Sequence, residues 1–101
     1  MLVIAGHFRI AAARKPEAEV AAREMMRATR REAGCLAYVF SADLDEPALF
    51  HLFEAWESAA ALEAHFRTPH MAAFQSAVGG FGVKESEIQR YEVASVGPVR
   101  G

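Results

Sequence analysis

The period at which apolar residues recur switches repeatedly along this chain between two and about 3.6, and the order of those switches leaves few folds open. Residues 2–10 alternate as a strand: Val3, Ala5, His7 and Arg9 on one face, Leu2, Ile4, Gly6, Phe8 and Ile10 on the other. Residues 16–33 carry a helical stripe of Ala18, Ala21, Ala22, Met25, Ala28 and Thr29. Pro16 suits the first turn, and Gly34 suits a left-handed stop. Residues 36–43 alternate again, with Leu36, Tyr38, Phe40 and Ala42 on one face. The turn-forming run DLDEP separates them from 48–57, where Phe50, Leu52, Glu54 and Trp56 share a face. Ser58 caps a helix over 59–66, and Thr68-Pro69 breaks it and starts a second segment that ends at Gly79-Gly80. Residues 86–95 alternate as a last strand.

The order is β-α-β-β-α-β, the ferredoxin-like α+β arrangement: an antiparallel sheet with helices on one face. We expect one domain over 2–95 and an irregular tail over 96–101. Helices cover only one side of such a sheet, yet both faces of the first three strands carry large apolar groups. A monomer would leave the second face in water, so a sheet-to-sheet homodimer is expected.

Composition removes several function classes. The formal net charge is −2, and the basic run Arg23, Arg27, Arg30, Arg31 is interleaved with Glu17, Glu19, Glu24 and Glu32. That spacing is read as a solvated, salt-bridged helix face and not as a nucleic-acid surface. No run approaches the ~18 apolar residues of a membrane span. The apolar N-terminal stretch is interrupted by Arg9 and has no cleavage pattern. Cys35 is the single cysteine, so there is no intrachain disulfide or CxxC site, and a cytoplasmic location is expected.

None of His7, His51, His65 and His70 stands at a metal-ligand spacing from another, so neither metal nor other cofactor is expected. What remains is a constellation of Glu54, Trp56, His65, Phe66 and His70, with Tyr38 and His7 nearby. A histidine titrates near ~6.5 and suits deprotonation of a phenol or an activated C–H. Each residue also has a plain structural reading. Trp56 and Phe66 fit core packing, and His65 or His70 fits a helix surface or cap. Glu54 on an apolar strand face is different: a carboxylate there must be solvated, paired or functional.

Three stretches, REAGCLAYVF at 31–40, FHLFEAWES at 50–58 and LEAHFRTPHMAAFQSAV at 62–78, resemble the antibiotic biosynthesis monooxygenase superfamily, in particular its small bacterial quinol monooxygenases. The pattern is a glycine-cysteine turn, E-x-W, then H-x-x-x-P-H. The resemblance implies a ferredoxin-like domain that pairs into a dimeric α/β barrel. It implies oxygenation of a quinol or polycyclic aromatic by dioxygen without metal, flavin or haem, in a pocket between sheet and helices. Carried onto this chain, Trp56, Phe66, Tyr38, His7, Leu52 and Phe74 would bind substrate. His65 or His70 would act as base, and Glu54 would orient a histidine or the substrate hydroxyl. The haem-degrading branch is a poor match: His7, His65 and Gln75 stand where it carries asparagine, tryptophan and the haem-ligating histidine. Leu52 and Leu62 are apolar where anthrone oxygenases would offer polar partners. Two other readings stay open: proton transfer or isomerisation on a small carbonyl compound, and a dimeric ligand-binding module without catalysis.

Overall fold

The computed structural model describes residues 1–101. Strand β1 spans Leu2–Arg9, helix α1 Lys15–Thr29, β2 Cys35–Ala42, β3 Leu49–Trp56, α2 Ala59–Phe66, α3 Pro69–Val78 and β4 Glu85–Glu92. A short 3-10 turn, Ala12–Arg14, precedes α1. The sheet order is β2-β3-β1-β4 with every neighbour antiparallel, the ferredoxin-like order. The four strands form an open sheet, not a barrel closed within one chain. No helix is long and apolar enough to cross a membrane.

The register sorts the side chains as alternation requires. Leu2 pairs with Trp56, Ile4 with Glu54, Gly6 with Leu52 and Phe8 with Phe50, and these residues face the helices. Leu2, Ala22, Met25, Tyr38, Phe40, Leu52, Trp56 and Leu62 form the main core. A second cluster, Ile10, Ala18, Phe50 and Phe81, closes the other end. Gly6 is required because a Cβ there would run into the backbone of Glu87 and Ile88 on β4.

The structure departs from the periodic reading in two places that matter. Helix α1 stops at Thr29 and not at residue 33, so Arg30–Gly34 forms a turn, and Gly34 takes φ +83°. The turn carries Glu32 off the helix surface and under α2. The second departure is in β2, where Cys35 pairs with Trp56 and Ala37 with Ala55. Leu36 is the extra residue of a bulge. It points to solvent, and Cys35 packs against the core in its place.

Candidate active site

Two capped helices bring the chemistry together. The Ser58 hydroxyl accepts from Ala61 N–H at the start of α2. At the break, the Thr68 hydroxyl accepts from Met71 N–H at 3.2 Å and donates to the His65 carbonyl at 2.8 Å. One side chain thus ties the end of α2 to the start of α3. It fixes His65 and His70 on the same side of the kink, with ring centroids 6.1 Å apart.

Both rings converge on one atom. His65 Nδ1 and His70 Nε2 each lie 2.7 Å from Oε2 of Glu32. A carboxylate only accepts, so the neutral rings must carry their protons on those nitrogens, and both bonds are charge-assisted. His70 Nδ1 is left without a partner in the chain. The three side chains differ in access: His65 is 1% exposed, Glu32 13% and His70 28%.

Behind His65 the interior is packed. Trp56 is fully buried, with its ring centroid 4.8 Å from that of His65, and Tyr38 stands 5.6 Å away on the other side. Trp56 donates its indole Nε1–H to Glu54 Oε1 at 2.9 Å. Burial pushes the Glu54 carboxyl above its ordinary 4.5; the Trp56 N–H and His65 pull it back, and Glu32 adds to the rise. Burial, then Glu54, Glu32 and Cys35, hold the Tyr38 phenol far above its ordinary value. Cys35 is likewise held as a thiol, chiefly by burial and then by Glu32.

Open space lies to the side of this packed centre. A cleft of about 230 Å³ runs between α1 and α3, walled by Ala21, Ala28, Ala73 and Ala77, floored by Met25 and Phe74, and reached by His70 and Glu24. A second space of about 130 Å³, lined by Phe8, Phe40, Leu52, Val78, Val83 and Ile88, lies between sheet and α3. The Phe40 and Phe74 rings, 5.4 Å apart, stand between the two.

The expected site residues therefore separate. His65 and His70 come together, Phe74 and Leu52 line the two clefts, and Tyr38 joins the buried group around His65. Trp56 lines no cleft, because His65 and Glu54 fill the space beside it. Glu54 holds that indole and makes no bond to a histidine. Phe66 lies on the outward side of α2 and is 49% exposed, so it forms no pocket wall. His7 is on the opposite face of the sheet, because alternation along β1 directs it away from Phe8 and Gly6. There it pairs across the ladder with His51 and lies 3.8 Å from Glu87. Glu32 is the residue that the spacing argument missed. It is separated from the histidines by 33 and 38 residues and sits in a run read as a solvated helix face.

Residues 1–77 match the family model described as antibiotic biosynthesis monooxygenase. The chain belongs to that family. It is 32% identical over 93 residues to an uncharacterized protein of Synechocystis, a stretch covering 92% of this chain and 63% of the relative. It is 40% identical over 58 residues to the "Probable quinol monooxygenase YgiN" of Escherichia coli, covering 50% of this chain and 56% of that one. The chain thus spans less than two thirds of these relatives' lengths. Among solved structures, a "putative antibiotic biosynthesis monooxygenase" of Deinococcus radiodurans superposes over 100% of both chains with a TM-score of 0.90 at 27% identity.

Proposed function

We propose that this chain is a cofactor-independent monooxygenase that uses dioxygen to oxidise a quinol-like or polycyclic aromatic substrate, with His70 as the base. One observation carries the reading. His70 reaches the α1–α3 cleft with Nε2 held by Glu32, which leaves Nδ1 to accept a proton. The carboxylate orients the ring and stabilises the imidazolium that forms. His65, buried behind it, positions Glu32 and does not meet substrate.

Ground-state dioxygen is a triplet and reacts slowly with closed-shell molecules. Removal of a proton from an activated C–H or O–H gives an anion that passes one electron to dioxygen, and the radical pair combines to a carbon-bound peroxide. For a methylene substrate, O–O cleavage with loss of water leaves a ketone: R2CH2 and O2 become R2CO and H2O. The alanine walls and the Phe74 floor suit a flat apolar ring. Each cleft alone is smaller than the ~300–1,000 Å³ of ordinary ligand sites. Phe74 is the partition whose rotation would join them.

The test is oxygen uptake with menadiol or an anthrone in chelator-treated buffer. Wild-type protein is expected to consume oxygen, and His70→Ala to lose about 10²–10⁴-fold in kcat/KM. Unchanged turnover in His70→Ala removes it as the base. Proton transfer without oxygen would show as substrate consumption with no uptake. The packing beside Trp56 favours a second reading, a ligand-binding module. Its signature is a ligand-induced rise in Tm with no turnover of any quinol. On either reading the functional unit we propose is a homodimer paired through the outer sheet face.

A further inference from the structure

We infer that Glu32, His65 and His70 form a binding site for a first-row divalent transition metal ion. His65 Nδ1, His70 Nε2 and a Glu32 oxygen all lie within 4.8 Å of one another. The two imidazole N–H bonds point at one place, which Glu32 Oε2 now occupies at 2.7 Å from each nitrogen. Deprotonated at those nitrogens, the rings would aim two lone pairs at the same point. An ion needs about 2.0–2.1 Å to nitrogen and 2.0–2.2 Å to a carboxylate oxygen. It would therefore sit on the histidine side of the present Oε2 position, and because a donor spread of up to 4.8 Å exceeds twice a metal–nitrogen bond, the partly exposed His70 must swing toward His65 as the carboxylate draws back. Glu32 can make that retreat because it stands in the turn after α1 and not within the helix. His65 cannot move far: Trp56, Tyr38 and Phe66 pack round its ring. One ligand is thus rigid and two are adjustable, and the partly exposed His70 gives the ion an entry path.

The donor set selects the class of ion. Two imidazoles and one carboxylate suit Zn²⁺, Co²⁺, Ni²⁺ or Fe²⁺ over Mg²⁺ or Ca²⁺, which prefer oxygen. Three protein ligands leave at least one coordination position for water or an exogenous oxygen donor. There is a consequence for His70. With Nε2 on a metal, its ring proton must sit on Nδ1, so the nitrogen that could accept a proton becomes a donor. A bound ion would therefore inhibit base chemistry at His70. That consequence rests on the oxygenase reading, whereas the binding does not.

Equilibrium dialysis of the whole chain against Co²⁺, with the visible spectrum as second readout, tests the binding directly. One ion per chain is expected, with the d–d bands of a four- or five-coordinate site. His70→Ala and Glu32→Gln should each weaken binding by at least about tenfold. His7→Ala and His51→Ala, on the other sheet face, should leave it unchanged. His65 is buried, so the partly exposed His70 carries the test if His65→Ala fails to fold. No retained Co²⁺, or retention equal in wild type, His70→Ala and Glu32→Gln, overturns the site. Neither result depends on turnover, so it is separable from failure of the oxygenase reading.

Discussion

Glu54 is buried among aromatic groups with the Trp56 indole as its one hydrogen-bond donor. Its carboxyl titrates above the ordinary 4.5, so the folded chain holds that proton to higher pH than the unfolded chain does. The stability Glu54 contributes is therefore fully present below the unfolded value and is lost as pH rises through the raised folded value. Glu54→Gln keeps an acceptor for Trp56 and removes the titration. Thermal melts should show the variant gaining on wild type as pH rises above the ordinary 4.5, whichever is more stable at the acid end; parallel curves would refute the account. Much at this scale was legible from alternation alone: it put Glu54 and Trp56 on one face and marked the carboxylate as exceptional. The role of Glu32 was not legible. A carboxylate that meets its partners across 33 and 38 residues leaves no local pattern, and its neighbours Arg30 and Arg31 made it look like an ordinary member of a charged helix face.

At the scale of elements, the break between α2 and α3 decides where both histidines stand. Thr68 closes two helix ends at once, through Met71 N–H and the His65 carbonyl. Thr68→Ala should cost about 1–2 kcal/mol, the upper part of the N-cap range because a second bond is lost as well. In a domain of this size that lowers Tm by roughly 4–16 °C. Thr68→Ser, which keeps both bonds, should stay near wild type in the same melt; equal losses in both variants would mean that the methyl group and not the hydroxyl matters. The cap was readable in sequence because Thr-Pro is a local signal. The end of α1 and the β2 bulge were not. The apolar stripe continues through Ala28 and Thr29 with nothing to show that the next residues turn. The alternation of Leu36 with Tyr38 fits a regular strand as well as a bulged one, and only pairing against Trp56 and Ala55 selects the bulge.

At the scale of the whole molecule, the chain is a flattened slab with one sheet face left uncovered by helices. Its extents are 42 × 34 × 20 Å and its radius of gyration 14.1 Å, against about 13 Å for a compact domain of this length. Only 17 of 101 residues are buried, a thin core for such a chain. On the sheet face away from the helices, Val3, Ala5, Ala37 and Ala55 make an apolar floor, from which Val39, Phe53 and Tyr91 project, the last two 45% and 48% exposed. Charged groups border this floor at one end of the sheet: Arg9 bridges Glu46 and Glu85, and His51 bonds Asp43 at 2.8 Å. Exposed apolar side chains gathered on one face suit a subunit interface, and a two-fold pairing of sheets would cover them with one contact. Sedimentation velocity is expected to give twice the 11.0 kDa chain mass at micromolar concentration. Phe53→Lys places a charge at the centre of the face without touching the helix side, so it should give a folded monomer with unchanged far-UV dichroism. Wild-type sedimentation as a monomer would sink the pairing. A Phe53→Lys variant that still sediments as a dimer would move the interface to another surface.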